Sequence, residues 1–158
     1  MAEHTRIEGT FNVYEFQRSA MPVLTGWAVG SILMGLLWWQ QRSEWLKGFG
    51  SQFAGWGVIN LIIAVLGLRG AASNAEKYAA GEIEQPQHDK ATRTFEIALW
   101  VNAVLDVLYV VGGSRLAASR PDDEQRQGMG WGIIAQGAGL LVWDVILALV
   151  LSRARRRG

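Results

Sequence analysis

Four long stretches of this sequence are almost free of charge. No Lys, Arg, Asp or Glu lies between Arg18 and Arg42, or between Lys47 and Arg69. Asp106 is the one charge between Glu96 and Arg115, and Asp144 the one between Arg126 and Arg153. A water-exposed helix shows a charged face every turn or two, so a soluble fold has no place for four such gaps. Each gap holds at least about 18 helical residues, enough to cross most or all of roughly 30 Å of hydrocarbon. The pattern predicts an all-α fold, a four-helix transmembrane bundle, with spans at about 21–40, 52–68, 96–113 and 130–151 in one membrane domain over 21–152. Residues 1–20 then form a cytoplasmic or interfacial segment, 69–94 a cytoplasmic loop and 153–158 a basic tail.

The flanks refine this reading. The first apolar run starts near Met21, after Glu3, Glu8 and Glu15, and is long enough to cross, so it reads as an uncleaved span rather than a signal peptide. Pro22 suits a first helical turn, and Trp38 and Trp39 suit the headgroup layer. With four spans, the termini and the middle loop share one side, which carries ten Lys and Arg residues against five on the other. That excess places both termini in the cytoplasm, and the expected location is a bacterial inner membrane. The middle loop reads as a polar connector with one short helix at Asn74–Ala80. The stretch Phe11–Arg18, with Phe11, Tyr14 and Phe16 among polar residues, reads as a surface-lying segment.

Several chemistries drop out. There is no cysteine, hence no disulfide, thiolate nucleophile or Cys-based metal site. His4 and His88, the only histidines, read as solvated surface residues, and no metal site or cofactor is expected. Arg153, Arg155, Arg156 and Arg157 follow an apolar span, where such a run fixes orientation or meets anionic lipid; nucleic acid is not expected as a partner.

The informative residues are the polar ones inside the spans: Asn60, Asn102, Asp106, Gln136 and Asp144. An aspartate at the centre of a membrane helix costs about 2.5–3.5 kcal/mol by insertion scales, so it needs a partner or a purpose. Counting the helical rise from the cytoplasmic ends puts Asn102, Asp144, Asn60 and Asp106 roughly 9–15 Å deep and Gln136 about 22 Å deep. A polar slab from three spans is therefore expected. Asn102 and Asp106 share a stripe with Ala98, Tyr109 and Gly113. Gly57, Asn60, Ala64 and Gly67 form another, and Gly137, Asp144 and Ala148 a third. Gly26, Gly30, Gly57 and Gly137 are candidate helix-packing positions, since small residues let membrane helices approach.

Two readings of the polar layer compete. In one it is structural glue, hydrogen-bonded across helices for about 0.6–2 kcal/mol per contact. In the other the acids bind and release a proton or cation, with burial and repulsion keeping at least one of them protonated. No span holds a Lys or Arg to neutralise them, and none shows the paired Gly/Pro breaks of many secondary transporters. An enzyme is not expected, because no buried nucleophile–histidine pair exists. The signatures of intramembrane aspartyl hydrolases, a Tyr-Asp pair and a Gly-X-Gly-Asp run, do not flank Asp106 and Asp144. The expectation is a small non-enzymatic membrane scaffold or accessory subunit, touching lipid and self-associating or meeting a partner's span. The alternative is a proton- or cation-coupled carrier using Asp106 and Asp144.

Two internal matches raise the question of duplication. Gln52 and Asn60 match Gln136 and Asp144 at an offset of 84, whereas Gly55-Trp56-Gly57-Val58-Ile59 matches Gly130-Trp131-Gly132-Ile133-Ile134 at 75. One repeat cannot have both registers; a parallel two-hairpin repeat and convergent small-residue packing both remain open. The runs Gly55-Trp56-Gly57-Val58-Ile59-Asn60-Leu61, Asn102-Ala103-Val104-Leu105-Asp106-Val107-Leu108-Tyr109, and Gly130-Trp131-Gly132-Ile133-Ile134-Ala135-Gln136-Gly137 with Asp144 carry a resemblance. On them the chain resembles small bacterial four-span membrane proteins of uncharacterised families. The resemblance covers the spans and implies a topology, with no activity or ligand.

Overall fold

The computed structural model describes residues 11–156. Among them are four α-helices and no strand: α1 (Val13–Trp39), α2 (Glu44–Ala79), α3 (Gln85–Ser119) and α4 (Glu124–Arg155). Each helix contains one of the apolar stretches, and the chain is a multi-pass membrane protein with four candidate spans. Side chains cap three of the helix starts. Asn12 accepts from the Tyr14 and Glu15 N–H groups at 2.9 and 3.3 Å. Ser43 accepts from Leu46 N–H at 3.3 Å and Asp123 from Arg126 N–H at 3.0 Å. Each satisfies an otherwise orphaned N–H of a first turn. Pro86 fits the start of α3, and Gly81, at φ +76°, turns the chain just after α2.

The middle loop is much shorter than the sequence suggested. Helix α2 continues unbroken through Asn74 to Ala79, and α3 begins at Gln85, so Asn74–Ala80 is not a separate short helix. The reason is local: Ala71, Ala72, Ala75 and Ala79 are strong helix formers, and no breaker occurs before Gly81. At about 1.5 Å per residue, α2 and α3 are each roughly 50 Å long and overshoot roughly 30 Å of hydrocarbon.

The overshoot builds a small cap beyond the spans. Val13 and Tyr14 are buried at the start of α1, so Phe11–Arg18 is not a surface-lying segment. His88 is also buried, at 3% exposure, which corrects its reading as a solvated residue; His4 lies outside the described residues. Val13 N–H donates to His88 Nε2 at 3.1 Å, the Tyr78 ring stacks on the imidazole at 4.6 Å, and Tyr14 meets it edge-on at 5.7 Å. The charge that intrudes here is answered. Glu96 accepts from Ser152 Oγ at 2.5 Å and pairs with Arg155 Nε at 3.1 Å.

Helix α1 lies along α2 and α3 along α4, and the two hairpins meet along α2 and α4. Small residues set these seams. A Cβ added to Gly35 would stand 2.6 Å from Gly50 O, and one on Gly50 2.6 Å from Gly35 O. In the second hairpin Gly113 and Gly130 stand in the same relation, at 2.7 and 2.6 Å. Between the hairpins Gly48 abuts Gln125 O and Met129 N, while Gly128 abuts Trp45 O and Phe49 N. These contacts are reciprocal: 80 residues separate Gly48 from Gly128, Trp45 from Gln125 and Phe49 from Met129. Likewise Gly57 packs on Ala28 and Ile32, and Gly137 on Asp106 and Val110. The hairpins are thus related by a pseudo-two-fold axis along the bundle, with an offset of 80 from α2 to α4 and of 78 from α1 to α3.

That register overturns both sequence matches. Neither 84 nor 75 aligns equivalent positions, and the Gly-Trp-Gly runs misled because their first glycines differ in environment. Gly130 is pressed against α3, whereas a Cβ on Gly55 would meet nothing within 4 Å. Two packing expectations change as well. Gly57 and Gly137 sit in tight contacts, but Gly26 and Gly30 are exposed and face away from the bundle. The inward face of α1 is instead Leu24, Ala28, Ser31 and Gly35.

Candidate functional site

The five intramembrane polar residues fall into two groups. Gln136 stands apart from the acids, fully buried and bonded at both amide atoms: Trp27 Nε1 donates to its Oε1 at 3.0 Å, and its Nε2 donates to Ser31 Oγ at 3.0 Å. It ties α4 to α1. These are the cross-helix bonds that hold membrane bundles together.

Asn60, Asn102, Asp106 and Asp144 line one cavity of about 230 Å³ between α2, α3 and α4. Asp106 and Asn60 are each 4% exposed, and Asp144 is buried beside them. Both carboxyl side chains belong to the lining of this one cavity. Asn102 is exposed, at the mouth, and so does not belong to a buried layer. The inward stripe of α3 runs through Glu96, Leu99, Ala103, Asp106 and Gly113 rather than through Ala98, Asn102 and Tyr109. Packing against α4 sets that rotation, with Gly113 pressed on Gly130 and Asp106 beside Gly137. Ile59 and Leu105, also exposed, flank the mouth, so the cavity opens between α2 and α3 toward the bilayer.

Two buried polar atoms of the lining residues lack partners. Asn60 Nδ2 finds no acceptor and Asp106 Oδ2 no donor, although both are buried. Leaving such a group unsatisfied costs about 1–3 kcal/mol, and buried polar atoms nearly always have partners. The remaining wall is apolar and aromatic. Trp56 and Tyr109 meet at 4.8 Å across the α2–α3 gap, and Trp143 comes from α4. Sequence reasoning named the acids and amides and set Tyr109 on the stripe of Asn102 and Asp106, but gave Trp56 and Trp143 no part in the site. Among the described residues, no three His, Cys, Asp or Glu side chains gather as a metal-binding group.

No curated protein and no solved structure matches the chain. A family model does, over residues 23–145, which takes in Asn60, Asn102, Asp106, Gln136 and Asp144. By that match, which covers most of its length, the chain belongs to the family of unknown function DUF6992.

Proposed function

We propose that this protein is a non-enzymatic bundle that exchanges a proton for a cation at the Asp106–Asp144 pair. The observation that carries the reading is Asp106 Oδ2, buried in the cavity wall without a donor. A carboxylate offers only acceptors, so two bare carboxylates cannot hydrogen-bond each other. A proton held by either acid, or a donor group on a guest, would meet the need of Oδ2. No Lys or Arg lies within the four apolar stretches to close the site permanently. Structural glue is assigned to Gln136, which bonds two side chains of α1; Asp106 Oδ2 and Asn60 Nδ2 are left without partners.

The excess of ten basic residues over five supports cytoplasmic termini, in a bacterial inner membrane. The cavity then lies inside the bilayer and opens toward lipid. The test is cation-driven proton movement in proteoliposomes, comparing the wild type with Asp106→Asn and Asp144→Asn. Asn keeps the size and the hydrogen-bonding capacity. The wild type is expected to acidify one compartment when a cation gradient is applied, and both variants are expected to lose that response while remaining folded. Equal responses in all three would remove the exchange reading.

A scaffold or accessory-subunit role is the second reading, and the outward Gly26 and Gly30 favour it. Crosslinking in native membranes tests it: a wild-type dimer or heteromer band lost in Gly30→Leu supports association, and an unchanged pattern argues against it.

A further inference from the structure

We infer that the guest of the Asp106–Asp144 cavity is a small organic ammonium that also carries an oxygen acceptor, of the amino-alcohol class. This rests on the cation-exchange reading above and narrows it. Charge comes first. Two carboxyls face the cavity with no basic side chain on any of the four apolar stretches, so a guest must bring the positive charge. Its N–H groups meet the unpartnered Asp106 Oδ2.

The walls choose among cations. Trp56, Tyr109 and Trp143 place three aromatic rings on the same cavity as the acids. Ring faces attract ammonium groups and gain further from contact with an alkyl body, a combination a bare alkali ion does not exploit. Size sets an upper bound. Drug-sized pockets run about 300–1,000 Å³, and this cavity is about 230 Å³, which favours a guest of a few carbons. Asn60 supplies the last criterion. Its Nδ2 is a donor buried in the cavity wall with no acceptor, and a hydroxyl oxygen on a guest that reaches it fills that role. Burying an N–H without a partner is unfavourable, so the hydroxyl becomes a selectivity determinant.

Two probes of nearly equal shape isolate that determinant: ethanolammonium and n-propylammonium differ by a hydroxyl in place of a methyl. Purified protein in detergent is titrated with each, and with sodium and potassium chloride, reading tryptophan fluorescence and heat. Saturable binding of both ammonium ions is expected, with ethanolammonium about 3–10-fold tighter, the ratio one added hydrogen bond brings. Asn60→Leu is expected to abolish the preference while retaining n-propylammonium binding. Trp56→Leu is expected to weaken both amines by about 2–5-fold. Equal affinity of the two amines in the wild type would overturn the proposal, and that comparison needs no variant to fold. Saturable sodium or potassium binding with proton release, and none by either amine, would also overturn it while leaving the cation-exchange reading intact. No saturable binding or proton release with any of the four would sink both.

Discussion

The pseudo-two-fold axis gives the polar crevice a counterpart, and the two differ in chemistry rather than in shape. Between α2 and α3 lie Asn60, Asn102 and Asp106; the matching positions between α4 and α1 are Leu140, Leu24 and Ala28. Asp144 corresponds to Ala64, which is fully buried. The counterpart still encloses a cavity, of about 170 Å³, lined by Val23, Leu24, Trp27, Leu140, Trp143 and Ile146 among others. Leu24, Leu140 and Trp143 border both cavities. Where Trp56 meets Tyr109 on one side, Gln136 bonds Ser31 on the other, so the hydrogen-bonded tie sits opposite the open acids. The counterpart side therefore packs without intramembrane acids, held by the Gln136 bonds instead. The acids' cost to insertion, about 2.5–3.5 kcal/mol each, calls for a use.

Five variants sharpen or break this comparison. The largest effects belong at the axis itself. Gly48→Leu and Gly128→Leu each drive a side chain into a facing helix backbone, and both are expected to abolish most folded protein, measured as monodisperse yield in detergent. Unequal effects would mean that the two positions are not equivalent. Next comes Gln136→Leu, which strips two cross-helix hydrogen bonds and is expected to cost about 1–3 kcal/mol, read as a lower midpoint in thermal unfolding. The double replacement Asp106→Ala with Asp144→Ala copies the counterpart's own Ala28 and Ala64. Removing the buried acids as a pair is expected to leave stability unchanged or raise it by about 1–3 kcal/mol, while proton exchange disappears. A collapse of the fold would make the acids structural glue after all. Smallest is Gly30→Leu on the outward face, where thermal unfolding is expected to move by no more than about 0.5 kcal/mol.

Much of this architecture is legible in the residues because the bilayer imposes a simple rule. Four charge-poor runs demand four helices, and the rise per residue brings Asn60, Asn102, Asp106 and Asp144 to similar depth. Rotation about a helix axis is harder to read. Lipid-facing and bundle-facing positions are both apolar in a membrane helix, so the stripe of α3 came out displaced and Asn102 was placed inside. For the same reason Gly26 and Gly30 were assigned to packing, whereas Ala28, Ser31 and Gly35 face the bundle. The helical overshoot at Asn74–Ala79 was hidden by its charges, which suit a loop and a cytosolic helix equally. His88 looked solvated because nothing local reveals that Val13, Tyr14 and Tyr78 close over it. The repeat was obscured because its register rests on glycines at helix crossings, while the residues between them have diverged.

The proposed exchange of a proton for a cation at Asp106 and Asp144 can be tested as stoichiometry. Weakly buffered protein in detergent is titrated with ethanolammonium while a pH dye reports the protons set free. About one proton released per cation bound is expected for the wild type, because one positive charge replaces another at the site, and none for Asp106→Ala with Asp144→Ala. Saturable binding with no proton release in the wild type, or the same release from the double variant, would contradict the assignment of these two carboxyls as the exchanging groups.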